Sequence, residues 1–213
     1  MLAHMGTTME ASVASPLVAH RIQGVGVEAG EEVRKVELGS KTLHLLGQLP
    51  AIGSELLAAF QIPLARGDGG ALCRASLSGP LTFVSTLPNI EKHACIAQIV
   101  HLHEHCHTEF PEAVVHHVSS DDLEHWRELD AYHADVRALG YSLSAASAPS
   151  ALAFKRAFGV GVAESTRVAH GLFALLKGRF VAVDVPHNQL QAADVDRFLS
   201  KLRMALPLFI QPA

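Results

Sequence analysis

The stretch TFVSTLPNIEKHACIAQIV, residues 82–100, decides the fold prediction for this chain. Its first part is nearly all apolar and β-prone, which is typical of a strand covered on both faces. Pro88 then opens a loop, and apolar residues recur at helical spacing over residues 94–108, before Pro111. The stretch therefore predicts a central strand, a loop and a helix that has Cys95 in its first turn.

Cys95 lies where a nucleophilic thiol is favoured. Unpaired backbone N–H groups and the helix dipole stabilise an anion at a helix start, so we expect a lowered pKa for Cys95. Arg167 is a candidate cation beside it, because it begins a later predicted strand and neighbouring strands end in the same layer. The alternative interpretation is that Cys95 is a small buried hydrophobic residue.

Strands and helices alternate on both sides of this stretch. Turn residues and hydrophobic periodicity predict the following segments: strands at 33–38 and 42–46 around the hairpin turn Gly39-Ser40; short elements at 55–60 and 72–77 within a loop; a strand at 113–118; a helix capped by Asp121 or Asp122 and ended by Gly140; a strand at 141–145; a helix at 151–158; a hairpin of strands 167–176 and 179–185 across Lys177-Gly178; and a helix at 193–206. This order predicts an α/β, thioredoxin-like domain with an N-terminal β-hairpin and helices on both faces of a mixed sheet.

Composition narrows the class of protein. The 213 residues are 49% hydrophobic and 18% charged, with a net charge of -4, which argues against a disordered chain and against an electrostatic nucleic-acid binder. Without an apolar run of about 20 residues or a signal peptide, the sequence predicts a soluble cytoplasmic protein with no membrane partner. Residues 1–32 are predicted to be a loose leader before a domain over residues 33–213. Three cysteines are too few for a disulfide scaffold.

The segment P-N-I-E-K-H-A-C, residues 88–95, resembles the peroxidatic site of the peroxiredoxins, specifically the atypical two-cysteine thiol peroxidase group. In that family a Pro is followed, after three residues, by Thr or Ser and, after two more, by the Cys. The segment FGVGVAESTRVAHGLFAL, residues 158–175, is similar to the family stretch that contains the active-site Arg, at the place of Arg167. Residues 39–54, GSKTLHLLGQLPAIGS, are similar to the N-terminal hairpin and the loop after it.

The resemblance implies a function and a site. Cys95 thiolate would attack a hydroperoxide, while Arg167 and backbone N–H groups behind Pro88 stabilise the leaving oxygen. The sulfenic acid left on Cys95 would be reduced by thioredoxin or a small-molecule thiol. The resemblance further implies a homodimer that uses neither a metal nor another cofactor.

The sequence departs from the family pattern in two ways, so the active site is divergent. Lys92 occupies the position of the hydroxyl residue, and a lysine has no acceptor lone pair, although its charge could favour a thiolate. Residues 119–130, where this group has its resolving cysteine, contain none. Cys106 is eleven residues further along the same predicted helix, about 16 Å away, which is too far for a disulfide with Cys95. Resolution would fall to Cys73 or an external thiol, and the alternative is a redox-inactive or redox-sensing thioredoxin-fold binding protein.

Histidines are unusually frequent, and four of the 14 alternate along VHLHEHCHTEF. His103, Glu104 and His107 form H-E-x-x-H, while His101, Glu104 and His105 form H-x-x-E-H, which are patterns that can bind zinc on a helix. Four alternating histidines around one Glu produce both patterns automatically. We therefore favour a solvated helix face and keep a metal-binding protein as a third possibility.

The remaining aromatic and histidine residues have simpler interpretations. Trp126 and its neighbouring leucines recur at helical spacing and are predicted to lie in the core. Four further histidines are predicted to be individual surface or edge residues: His116, His117, His125 and His133.

Overall fold

A computed structural model describes residues 33–65, 69–132, 139–163 and 165–210. The predicted leader, residues 1–32, and His133 lie outside these ranges. The strands are β1 (Arg34–Leu38), β2 (Lys41–Leu46), β3 (Gln61–Pro63), β4 (Ala71–Cys73), β5 (Thr82–Leu87), β6 (Val114–Ser119), β7 (Leu139–Ser142), β8 (Gly161–Val162), β9 (Gly171–Leu176) and β10 (Arg179–Asp184). The helices are α1 (His93–Glu109), α2 (Leu123–Tyr132), α3 (Ala148–Phe158) and α4 (Val195–Ile210), with a 3₁₀ turn at Ala75–Leu77.

The central sheet has five strands in the order β10-β9-β5-β6-β7. Strands β5, β6 and β7 are parallel, whereas β9 is antiparallel to both β5 and β10. All six residues of β5 are buried, as its apolar sequence predicts. Phe83 packs in a core with residues of α1 and α4, while its neighbour Val84 packs in a core with residues of α3. Helices therefore cover both faces of a mixed sheet, which confirms the predicted fold class.

Both predicted hairpins are present. Strands β1 and β2 pair in register around the Gly39-Ser40 turn, and β8 extends this sheet beside β2. Strands β9 and β10 are joined by Lys177 and Gly178, whose φ angles are 51° and 78°. Two successive positive φ values are typical of the type I′ turn that matches the twist of a hairpin.

The structure corrects several predicted boundaries. The strand predicted to start at Arg167 begins at Gly171, so Arg167 lies in the preceding loop. Residues 55–60 form no helix or strand beyond an isolated bridge at Glu55. Two of their apolar side chains, Leu56 and Phe60, are buried, and Phe60 makes an edge-to-face contact with Phe154 at 5.4 Å between ring centroids. Segment 72–77 is divided between strand β4 and the 3₁₀ turn.

Gly140 also differs from its predicted role, because it lies inside β7 rather than at a helix end. It packs against the ring of Trp126, which is fully buried as predicted. A Cβ atom at residue 140 would lie 2.4 Å from Cε3 of Trp126. The close approach therefore requires glycine in the edge strand.

We expect Gly140→Ala to lower the free energy of unfolding by about 1–3 kcal/mol, because an added methyl overpacks a rigid buried ring. Urea denaturation measures the loss. Gly79→Ala is the control, since its Cβ would meet only the Thr82 hydroxyl, at 3.3 Å, and we expect a change of less than about 0.5 kcal/mol. Equal stability of the Gly140 variant and the wild type would contradict the packing argument.

Across the described ranges, no helix is long and apolar enough to cross a membrane.

Candidate active site

Three loops meet at one edge of the central sheet. Leu87 at the end of β5 lies opposite Ser119 at the end of β6, and Thr86 lies opposite Gly171 at the start of β9. Because β9 is antiparallel, its first residue shares this edge with the carboxyl ends of the parallel strands. The loops around residues 88–92, 119–122 and 165–170 therefore converge there.

Cys95 is the third residue of α1 and so lies in the first turn, as the sequence predicts. Its backbone N–H donates to the carbonyl of Lys92, the N-cap residue, at 2.9 Å. The Cys95 side chain packs among Leu87, Ile90 and other apolar residues, and only 1% of the residue is exposed. The predicted position is confirmed, but the thiol is covered.

The expected lowering of the Cys95 pKa is wrong. Burial raises the pKa of Cys95 to about 11, because removal from water penalises the thiolate. A hydrogen bond from the Asn89 backbone and the charge of Arg167 lower this pKa, while the charge of Asp121 raises it. Burial outweighs the helix start and the cation, so the thiol is protonated near neutral pH.

The structure brings Arg167 and Pro88 together. The guanidinium of Arg167 donates a short hydrogen bond to the carbonyl of Pro88, and it lies 3.5 Å from Oδ1 of Asp121. Asp121 is not the helix cap; its Oδ2 accepts from the backbone N–H of Ile90 at 2.9 Å, whereas Asp122 caps α2. Arg167 thus ties the loop before Cys95 to the loop after β6.

Lys92 contributes its backbone to the site. Its carbonyl accepts hydrogen bonds from the backbone N–H groups of Cys95 and Ile96, and the residue is exposed to solvent. The charged side chains that shift the pKa of Cys95 are Asp121 and Arg167. The expectation that the ammonium of Lys92 favours the thiolate therefore gains no support.

The structure adds a residue that the sequence prediction missed. Nε2 of His170 lies 3.7 Å from Sγ of Cys95, and Nδ1 of His170 lies 2.9 Å from Oε1 of Gln98. His170 is 3% exposed and Gln98 is 1% exposed. His170 follows Arg167 by three residues, directly before β9, and this shared loop is the only sequence signal that could have indicated it.

Of the other two cysteines, Cys106 is buried like Cys95, whereas Cys73 is not. Cys106 lies on the same continuous helix, is 4% exposed, and burial raises its pKa to about 12. Cys73 is partly exposed, and a hydrogen bond with the Ser76 hydroxyl lowers its pKa. All three cysteines have free thiols. The helix confirms that Cys106 is too far along α1 to bridge Cys95.

The alternating histidines do not converge on one point. His101 and His107 are exposed, His105 pairs with Glu109 at 3.1 Å, and Nε2 of His103 lies 3.1 Å from Nε2 of His117. No group of three or more potential metal ligands occurs in the part of the chain that the structure describes.

Two histidines of β6 correct the surface prediction. His116 and His117 are 4% and 0% exposed, because β6 is covered on both faces. His116 contacts the hydroxyl of Tyr141 through Nδ1 at 3.1 Å, and burial lowers its pKa to about 4. His125 is half-exposed and pairs with Asp122 at 2.9 Å.

Comparison with other proteins identifies the fold. No family model matches the sequence, and no curated protein matches it significantly. Solved structures similar to it include a thiol peroxidase from Chromobacterium violaceum, with a TM-score of 0.67 and 15% identity over 82% of this chain and 98% of that one. A peroxiredoxin-like protein from Aquifex aeolicus has a TM-score of 0.66 and 16% identity over 83% and 99%. Peroxidoxin BcpB from Mycobacterium tuberculosis has a TM-score of 0.57 and 18% identity over 76% and 99%.

The chain therefore has the thioredoxin-like fold of the peroxiredoxins, as the sequence predicts. At 15–18% identity, these likenesses establish the fold.

Proposed function

We propose that this protein is a thiol-dependent peroxidase that reduces hydrogen peroxide or organic hydroperoxides through Cys95. The observation that supports this most directly is the position of Cys95 on a peroxiredoxin fold, in the first turn of α1. Arg167 lies nearby and donates a hydrogen bond to the carbonyl of Pro88. Cys95 sulfur attacks the peroxide and loses its proton, and the O–O bond breaks. A sulfenic acid remains on the cysteine, and the second oxygen takes up a proton and leaves as water or an alcohol.

The rest of the cycle requires an external reductant. Cys106 is on the same helix as Cys95, which rules it out as a resolving thiol, and residues 119–132 contain no cysteine. Thioredoxin or a small-molecule thiol returns the sulfenic acid to a thiol in this proposal, and Cys73 is the one internal alternative. A cytoplasmic homodimer, as implied by the resemblance, belongs to the same proposal.

A second candidate is a redox-inactive or redox-sensing binding protein of the same fold. The burial of Cys95 favours it, since packing shields a residue that is only 1% exposed from a dissolved peroxide. A sensor of this kind would be oxidised once per chain and would not turn over.

Intact mass after peroxide treatment tests the proposal. We expect the wild type to gain oxygen and, with excess dithiothreitol, to consume many equivalents of hydrogen peroxide. Cys95→Ser removes the nucleophile, so its peroxide consumption should fall to the background rate of the dithiol. Cys73→Ser is the matched control, because Cys73 is the partly exposed thiol with the lowered pKa.

The outcomes separate the two candidates. Turnover that depends on Cys95 and survives in the Cys73 variant supports the peroxidase. Oxidation of Cys95 without turnover favours the sensor. Oxygen uptake that persists in Cys95→Ser and is lost in Cys73→Ser would contradict both, because the reactive thiol would then be Cys73.

A further inference from the structure

The hydrogen bonds of Gln98 determine which ring nitrogen of His170 carries the proton. The Ala193 backbone N–H is an obligate donor and lies 3.0 Å from Oε1 of Gln98, so this atom is the amide oxygen. On the other side, Nε2 of Gln98 faces the hydroxyl of Ser85 at 2.8 Å and the carbonyl of Gly171 at 3.3 Å. The orientation of the buried amide is thereby assigned from its network.

The tautomer of His170 follows from this orientation. Because Oε1 of Gln98 can only accept, Nδ1 of His170 carries the proton that bonds to it. In a neutral imidazole the second nitrogen, Nε2, then has a free lone pair. That lone pair faces the sulfur of Cys95 at 3.7 Å, so the thiol donates to Nε2.

We propose that His170 is a catalytic residue that takes the proton of Cys95 when the sulfur reacts, and that Gln98 is the positioning residue that holds His170 in the required tautomer. The pair is a general base and a nucleophile within contact, oriented by a third group. His170 is also fixed by its backbone N–H, which donates to Oε1 of Gln189 at 2.6 Å.

The buried setting makes such a base necessary. Burial raises the pKa of Cys95 to about 11 and lowers the pKa of His170 to about 4, so both groups are neutral at rest. The charged groups that act on the thiol from the neighbouring loops are Asp121, which opposes the thiolate, and Arg167, which favours it. Arg167 is a cation, and the two oxygens of Asp121 face the Ile90 N–H and the Arg167 guanidinium, whereas Nε2 of His170 contacts the sulfur directly.

Atoms and charges balance in the proton transfer alone and also when it is part of peroxide reduction. The second case rests on the proposed function. As the sulfur attacks, the S–H bond of Cys95 breaks and an N–H bond forms at Nε2, so the imidazole becomes an imidazolium. With a hydroperoxide, an S–O bond forms in the same step as the O–O bond breaks, so sulfur is oxidised by two electrons and the peroxide is reduced. The leaving alkoxide takes up a proton and His170 releases one, which gives a sulfenic acid and an alcohol or water.

Alkylation of Cys95 tests the proton transfer without any peroxide. In a chain with Cys73→Ser and Cys106→Ala, Cys95 is the single thiol, and intact mass follows its reaction with iodoacetamide. Rates are taken where they are proportional to reagent concentration, so that any rearrangement that admits the reagent to Cys95 is not rate-limiting. His170→Asn keeps an N–H near Gln98 but removes the lone pair that faces the sulfur.

We expect a rate nearly independent of pH between about pH 6 and about pH 9 when His170 is present, because its imidazole is neutral throughout. In His170→Asn the rate should fall about 10²–10⁴-fold near neutral pH and rise about tenfold per pH unit, as an unassisted thiol does. His116→Asn is the matched control, since His116 is equally buried but contacts Tyr141, and it should behave as the wild type.

An unchanged rate and a flat profile in His170→Asn would overturn the proposal. If that variant does not fold, long-range ¹H–¹⁵N spectra of the wild type decide instead: a proton on Nδ1 supports the assignment and a proton on Nε2 refutes it. Peroxide consumption is measured in parallel. Alkylation that depends on His170 without peroxide turnover would keep the proton transfer and reject the peroxidase.

Discussion

Replacing Gln98 with Met should lower the free energy of unfolding by about 3–5 kcal/mol, because each buried polar group left without a partner costs about 1–3 kcal/mol. The amide of Gln98 joins α1 to β5, to β9 and to the segment just before α4. Its loss removes the partner of the Ala193 N–H and of Nδ1 of His170 on one side, and the contact with the Ser85 hydroxyl on the other. Urea denaturation measures the change.

The same substitution should slow alkylation of Cys95, since His170 is no longer held with its lone pair towards the sulfur. Leu102→Met is the matched control, because Leu102 is a fully buried residue of the same helix and the exchange conserves volume. The control should cost less than about 1.5 kcal/mol and leave alkylation unchanged. A Gln98 variant as stable as this control would show that the amide network contributes little.

Replacing Lys155 with Met should stabilise the protein below about pH 8, by an amount that approaches 3 kcal/mol. Lys155 is 3% exposed, and burial lowers the pKa of its ammonium from 10.5 to about 8. The ammonium donates a short hydrogen bond to the Thr166 carbonyl, directly before Arg167. In the variant this carbonyl keeps a donor, the Ser120 hydroxyl at 2.8 Å.

The pH window follows from the lowered pKa of Lys155. Below about pH 8 the lysine is charged in the folded and unfolded states, and the cost of burying the charge is fully present. Between about 8 and 10.5 the unfolded chain binds the extra proton, so the cost disappears as pH rises. Urea denaturation of both proteins at several pH values should show the difference shrinking across this window.

Lys35→Met is the control for this pH dependence, because Lys35 is exposed on β1. Its stability curve should run parallel to that of the wild type. A difference between wild type and the Lys155 variant that does not change between pH 7 and pH 10 would contradict the assignment, since only a titrating buried lysine makes the difference depend on pH.

The sequence-based predictions that the structure confirms depend on local patterns. The apolar run of β5 and the loop opened by Pro88 are contiguous in the chain, and so is the helix start at Cys95, so pattern and propensity could place them. The two hairpins followed from their turn residues in the same way. The prediction that Gly140 ends a helix was wrong because this glycine allows the Trp126 ring, from another element, to pack closely against β7. No local sequence pattern shows such a contact.

The amino-acid sequence alone determined the peroxiredoxin-like order of elements and the position of Cys95 at the start of α1. Only the tertiary structure decided the state of that thiol, because burial in the folded core outweighs the local effect of the helix start on its pKa. It also brought His170 to Cys95 across 75 residues of chain and joined Arg167 to Pro88 across 79. Contacts over such separations depend on how the sheet and loops pack, and a sequence pattern read along the chain does not contain that information.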